Sequence, residues 1–373
     1  MRLRVVFRST PLFILLSSLV LTAGCGNAPG SGSASSSSRS YSGTASVGDF
    51  MNLTLDSTAQ TITYTNLSNG DSGVVPYTVN PDGTYTLNDP AGNLVAAYEI
   101  PGYAMLVDAL KAGSDHATPA LVTAVAESQV TLAMFENHGY NYMQFRTAAG
   151  GMEAGSVILD AQGNVSVSSY WPYGATLQNS SAFHSNVMPG GNFTEDSSGN
   201  FLRLSDQGST DYVFGTAQGI FAVDTGNGAI LGLGKAATKN FDPAVAGTYH
   251  AIYYQKTNAT TGQGNIESGV PSLGNATLVI DAQGNLTAQD AQNHTLMQAM
   301  LTPVADASYL YGSPGQLADP CNGLFTFRIS TANSQQDGFV SFMGRAVLFS
   351  SFTAALPLNG GSPYQYLYGV GLK

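Results

Sequence analysis

Few residues in this chain have the type and spacing that chemistry needs. The five histidines (His116, His138, His184, His250 and His294) are scattered. No two share a spacing that puts them on one strand or helix face, and no carboxylate cluster accompanies them, so a metal centre finds only weak support. No glycine-rich loop precedes a helix to cradle a phosphate. Two cysteines are present, Cys25 and Cys321. Cys321 stands beside a turn, Asp319-Pro320-Cys321-Asn322-Gly323, and is expected to be a small buried side chain. One aromatic group stands out: Tyr170-Trp171-Pro172-Tyr173, followed by Phe183-His184, with Trp171 the only tryptophan. Aromatic rings on a loop can form a platform for a sugar or an apolar ligand. The plainer reading is that they cap the end of a barrel or bury a contact between domains. Tyr170, Trp171 and Tyr173 are therefore the candidate ligand-binding residues.

Two short matches test for hydrolysis. Gly70-Asp71-Ser72-Gly73 resembles the segment around the nucleophile of trypsin-like proteases. In that family the histidine base and its aspartate precede the serine, and here no histidine precedes Ser72. Val74 also stands where that family has a further glycine. Phe221-Ala222-Val223-Asp224-Thr225-Gly226 resembles the aspartic-protease motif. That chemistry needs two carboxylates sharing a proton, and no second Asp-Thr-Gly or Asp-Ser-Gly occurs. Both segments are expected to be turns. No catalytic residue, metal or cofactor is assigned.

Address is more legible than chemistry. Arg2, Arg4 and Arg8 precede a short apolar run, Pro11–Leu21, shorter than the roughly 20 residues that span a bilayer. The run ends in Leu21-Thr22-Ala23-Gly24-Cys25, which resembles the lipobox of bacterial lipoproteins. The resemblance implies cleavage after residue 24, a lipidated Cys25, and a membrane anchor. By the same resemblance, Gly26 in place of Asp favours the outer membrane, with the periplasmic or surface-exposed face open. Residues 25–42 form a Gly/Ser tether reaching on the order of 20–25 Å. Loss of the leader leaves 10 Lys and Arg against 24 Asp and Glu, a net −14. This excludes nucleic acid and a basic patch on anionic lipid. With Cys25 lipidated, Cys321 has no intrachain partner.

The elements that must position any site are strands. Met51–Leu55, Thr61–Tyr64, Ser156–Leu159 and Thr277–Ile280 are rich in β-branched, alternating residues. Three stretches share a plan: Gly83–Asp108, Gly199–Gly226 and Gly323–Phe352. In each, a glycine precedes an aromatic by two residues (Tyr85, Phe201, Phe325). A second glycine follows (Gly102, Gly219, Gly344) at spacings of 19, 20 and 21. Asp160-Ala-Gln-Gly-Asn164 recurs as Asp281-Ala-Gln-Gly-Asn285, a hairpin turn with Asp56–Gln60 as its weaker copy. The distance from that Asp to the first repeat glycine is 27, 39 and 42, which predicts that the first repeat lacks about one hairpin. Tyr103–Lys111 and Leu121–Phe135 could be helical, but their counterparts are strand-like and strand is expected.

The fold class is thus all-β: tandem repeated small antiparallel β domains, up-and-down barrel or sandwich, after a signal peptide and tether. The expected divisions are 1–24 (signal peptide), 25–42 (lipidated Cys25 and tether), 43–127 (β repeat 1, short), 128–235 (β repeat 2) and 242–373 (β repeat 3). Function is expected to be non-enzymatic: a structural, adhesive or binding role in the cell envelope. The alternative is a small-molecule or glycan-binding lipoprotein using a barrel interior or the Trp171 loop, and a third reading is an unrecognised hydrolase. Expected partners are the membrane through Cys25 and a glycan, small apolar ligand or envelope protein.

Overall fold

A computed structural model describes residues 38–88, 94–112, 118–127, 129–146, 151–171, 188–206, 208–216, 219–226, 228–258, 269–310, 317, 319–355 and 365–373. Cys25, the leader and Tyr173 lie outside these residues. The described chain is almost entirely antiparallel β. Strands β1 (Ser38–Ala45), β2 (Asp49–Asp56), β3 (Thr61–Asn66), β4 (Ser72–Val79), β5 (Tyr85–Asn88), β6 (Leu94–Ile100), β7 (Ala104–Ala112) and β8 (Thr118–Ala126) close into an up-and-down barrel. A second closed barrel follows. It holds β9 (Gly139–Arg146), β10 (Gly151–Leu159), β11 (Asn164–Trp171), β12 (Met188–Glu195), β13 (Leu202–Asp206), β14 (Ser209–Gly215), β15 (Ile220–Asp224) and β16 (Gly228–Gly234).

The third sheet has nine strands: β17 (Gly247–Thr257), β18 (Val270–Ile280), β19 (Asn285–Gln289), β20 (Thr295–Met300), β21 (Thr302–Pro303), β22 (Leu324–Ser330), β23 (Ser334–Met343), β24 (Ala346–Ala355) and β25 (Gln365–Leu372). Its two edges are β20 and β21, with only Leu301 between them in the chain. One bent segment thus pairs with β19 along its first part and β22 along its last, so the sheet curls round like the other two.

The repeat glycines mark equivalent corners. Gly83, Gly199 and Gly323 precede β5, β13 and β22, and Gly102, Gly219 and Gly344 precede β7, β15 and β24. All six have positive φ, from 57° to 87°, which only glycine adopts without cost. The repeated Asp turns join the second and third strands of each unit. Asp160 Oδ1 accepts from the amides of Gln162 and Asn164, and Asp281 Oδ1 from Gln283 and Asn285.

Two expectations are corrected. The first unit has lost no hairpin: it has all eight strands, and its shorter count comes from shorter connections. Strand β1 begins at Ser38, inside the stretch read as tether. Arg39 and Tyr41 alternate inward among small residues there, and β1 pairs with both β2 and β8. The segment Tyr103–Lys111 is strand, as is Leu121–Ala126; only a short 3-10 turn at Leu132–Met134 follows.

Each unit has a filled interior. Tyr41, Leu53, Leu55, Tyr77 and Met105 pack inside the first; Tyr142, Phe193, Val213 and Phe221 inside the second; Tyr249, Leu278, Phe327 and Phe349 inside the third. Aromatic rings recur opposite glycines of the adjacent strand. Phe221 pairs with Gly232, Phe327 with Gly338, and Phe349 with Gly369. A Cβ on Gly232, Gly338 or Gly369 would come within 1.9, 2.3 or 2.2 Å of its partner ring. The missing side chain makes room for the ring.

A fourth core lies between the barrels. Strands are two-faced, and those on the inner side of the molecule are apolar on both faces. On β15, Phe221 and Val223 face the barrel interior while Ile220 and Ala222 face the shared core. On β7, Met105 and Val107 point in, and Ala104 and Leu106 point out. On β25, Tyr366, Tyr368, Val370 and Leu372 all enter the shared core. Phe50 of the first barrel meets Phe214 and Tyr212 of the second at 4.4 and 5.5 Å; Phe145 of the second meets Tyr254 and Tyr368 of the third at 4.7 and 4.9 Å. Each barrel touches both others, through β1, β7, β8, β15–β18, β23 and β24.

Candidate functional site

The aromatic candidates do not form a platform. Trp171 is the last residue of β11 and only 3% exposed. Its ring packs against Phe339 at 5.2 Å and Phe352 at 4.8 Å, both on the third barrel. A ring covered on this contact offers no face to a ligand, so the loop-platform expectation is corrected to an inter-barrel anchor. Tyr170 beside it is half-buried. Tyr173, Phe183 and His184 lie outside the described residues. Ser72 opens β4 and is exposed, paired with Thr65. Asp224 ends β15, and its Oδ1 accepts from the amide of Gly226 at 3.1 Å in the turn that follows. Cys321 is buried, its thiol pushed up to about 11 by burial and by Asp319 beside it. Among the described residues there is no group of three or more metal-ligating side chains.

Charged groups gather where strands from different regions meet. In the first barrel, Glu99 accepts from Arg39 Nε and Nη2 at 2.6 and 2.8 Å, from Tyr85 Oη at 2.7 Å, and from Tyr41 Oη. Burial alone would raise this carboxyl, but the hydrogen bonds from Arg39, Tyr41 and Tyr85 outweigh it and hold it below its ordinary value. Between the second and third barrels, Lys235 and the Ser168 hydroxyl both donate to Asp319 Oδ2. Burial again opposes ionisation of Asp319, and these donors again outweigh it. Nearby, Asn141 Nδ2 donates to the Asn322 carbonyl at 2.8 Å. On the third barrel, Arg328 forks onto Asp337 with two bonds of 2.7 Å and stacks over Tyr309 at 4.0 Å. These are satisfied structural pairs of the kind buried charges require.

Two buried carboxyls differ from them. Asp108 on β7 is 3% exposed, and its Oδ1 lacks a hydrogen-bond partner. Burial pushes it up to about 6, partly offset by Asn275 of the third barrel. Asp224 is 4% exposed and pushed up to about 7, first by burial, with Asp49 and Asp211 adding to it.

One open groove of about 650 Å³ lies on the second barrel, lined by Asn164, Val165, Ser166, Pro189, Gly191, Asn192, Ser205 and Asp206. It arises because β12 bends away from β11, whose register with it shifts between Asn164 and Ser166. Gly191, at φ 97°, makes the bend, and a Cβ there would lie 2.6 Å from the Ser205 carbonyl. Asn192 Nδ2 donates to Asn164 Oδ1 at 3.1 Å on its rim. The lining mixes the apolar Val165 and Pro189 with amide and hydroxyl groups and one carboxylate, a combination that can hold a ligand with both an apolar face and neutral hydrogen-bonding groups. Sequence reading missed this groove. Its signal was the Pro189-Gly190-Gly191-Asn192 run inside a strand, a combination that marks bulges.

Comparison with known proteins adds no identity. No protein family matches the chain, and no curated protein does. Solved structures similar to it include kievitone hydratase from Nectria haematococca, 10% identical over 65% of this chain and 92% of that one, at a TM-score of 0.20. Transferrin-binding protein B from Haemophilus parasuis is 8% identical over 90% and 76% of the two chains, at 0.21. A protein of unknown function from Nostoc punctiforme is 9% identical over 90% and 94%, at 0.20. Likeness at this level carries no argument about function.

Proposed function

We propose that the protein is a lipid-anchored cell-envelope protein with a non-enzymatic binding or structural role, acting through its outer surface. The observation that carries this reading is that all three barrel interiors are filled by their own side chains, while the inner strands are spent on one shared core. What remains for a partner is the outer face, which is polar but sparsely charged, as the 10% charged content of the chain requires. Cys25 lies a short Gly/Ser stretch before β1, so an acyl anchor there holds the barrels close to the membrane. One acyl chain binds marginally and two bind stably.

The groove at Asn164, Asn192 and Asp206 supports a second reading, a receptor for neutral glycan. The test is to express the full chain in a bacterial host, label it with palmitate, and fractionate the envelope. Label on the wild type, lost together with membrane retention in Cys25→Ser, is the expected result. Unlabelled protein in the soluble fraction overturns the anchor. Native mass spectrometry of the same material reads ligand: a retained hexose-containing species, lost in Asn192→Ala, favours the glycan reading over a protein partner.

A further inference from the structure

The three contacts between barrels are chemically unequal. The contact of β9–β11 and β16 with the third barrel holds a compensated ion pair, Lys235 with Asp319. It also has the Asn141–Asn322 bond, and the Ala236 amide donates to the Asn322 carbonyl at 3.1 Å. Both contacts made by the first barrel bury a carboxyl instead. Toward the third barrel it is Asp108, which meets Asn275 on β18; Asp108 Oδ1 and Asn275 Oδ1 both lack partners. The titratable groups around it are Tyr98 on β6, His250 on β17, which stacks on Tyr98 at 5.3 Å, and Asp82. Among the described residues the cations on the elements of this contact include Arg345, beside Tyr103, and the buried Lys256 on β17. Toward the second barrel the buried carboxyl is Asp224, faced by Thr44 on β1, Asp49 at the start of β2, and Asp211 on β14. Three acids meet there, and no cation faces Asp224 among the described residues.

We propose that the first barrel is latched by protons: it docks on the other two through Asp108 and Asp224 in their neutral forms, and its hold loosens as they ionise, while the second and third barrels stay clamped by Lys235 and Asp319. The Asn275 side chain donates one hydrogen bond to Asp108, but the buried Asp108 Oδ1 and the buried Asn275 Oδ1 are each left without a partner. Protonation removes the uncompensated buried charge and gives Asp108 a donor for the amide oxygen that is otherwise left unsatisfied. At the other contact, protonation removes the charge that Asp49 and Asp211 repel. The values of about 6 and about 7 agree with this geometry. Both lie above the ordinary 3.8, so the docked state binds more protons than the undocked one. Docking is strongest in acid and weakens as pH rises from about 4 through 7, by up to about tenfold per pH unit for each carboxyl.

The test uses the full chain in detergent, carrying dyes on Thr63→Cys of the first barrel and Gln298→Cys of the third, both exposed positions. Energy transfer reads the first barrel against the third. Fluorescence of Trp171, the single tryptophan, reads the second against the third. Urea titrations of the two signals are expected to coincide at pH 5. At pH 8.5, energy transfer is expected to fall at lower urea than Trp171 fluorescence. In Asp108→Asn/Asp224→Asn, which keeps shape without charge, the two curves are expected to coincide at both pH values. Curves that coincide at pH 8.5 in the wild type overturn the proposal. So does a double variant whose curves separate as the wild type's do.

Discussion

Trp171 shows how one side chain's surroundings decide its meaning. Its ring is wedged between Phe339 and Phe352 of another barrel. Trp171→Ala removes a buried aromatic where the neighbours cannot collapse fully, which costs about 3–5 kcal/mol. The expected outcome is a clear fall in urea midpoint. An unchanged midpoint would mean that the ring contributes nothing to the contact between the second and third barrels. The type of Trp171 was legible in the sequence as aromatic payload, but its side was not. Position 171 ends a strand, and whether a strand end points to solvent or to a neighbour depends on a contact with residues some 170 positions away. Asp108 was illegible for the same reason. A lone acid in Ala104–Lys111 reads as a polar outward residue until the third barrel is placed over it.

At the scale of strands, the recurring device is an aromatic ring lying over a glycine of the paired strand. Phe327 over Gly338 is one example, and Tyr253 opposite Gly274 is another. In Gly338→Ala the new methyl would meet Phe327 at 2.3 Å and the Ser350 carbonyl at 2.7 Å. Overpacking of this kind costs about 1–3 kcal/mol. A thermal melt of the variant should show it, and a second substitution, Phe327→Leu, should recover part of the loss. A double variant less stable than Gly338→Ala alone would show that ring and methyl do not compete for one space. The turn glycines were visible as a spacing, because corners recur at fixed places along a repeat. The packing glycines were not, since a glycine under a ring leaves no periodic trace; only the strand register pairs the two.

At the scale of the whole molecule, two sets of carboxyls pull stability in opposite directions with pH. Glu99 and Asp319 are held below their ordinary values by their donors. Their contribution is complete above the ordinary carboxylate range and is lost as pH falls through their folded values. Asp108 and Asp224 are raised, so stability falls as pH rises from about 4 through 7. Melting temperature is therefore expected to peak between about pH 4 and 5. Differential scanning calorimetry from pH 3 to 9 reads it, and a peak at or above pH 8 would contradict the assignment of the two buried acids. The shared core explains why no barrel is drawn as self-sufficient. A single barrel taken alone would expose Phe145, Leu231 and Leu233, or Tyr366, Tyr368 and Val370, as an apolar patch.

The sequence by itself determined the strands, their up-and-down order, the equivalent corners of three related units, and the Asp turns. These depend on alternation over a few residues and on backbone angles that glycine alone reaches cheaply, both local properties. It misjudged the start of the first strand and inferred a lost hairpin, because loop length and strand number are not separable by counting residues between landmarks. Only the tertiary structure decided that the barrels share a fourth core, that Trp171 belongs to it, and that Asp108 and Asp224 are buried at the contacts of the first barrel. Those facts concern which outer face meets which. Two apolar faces on one strand look the same in sequence whether the second is covered by a ligand, a membrane or another barrel. The choice is made by the area that two closed barrels and one curled nine-stranded sheet can bury against one another.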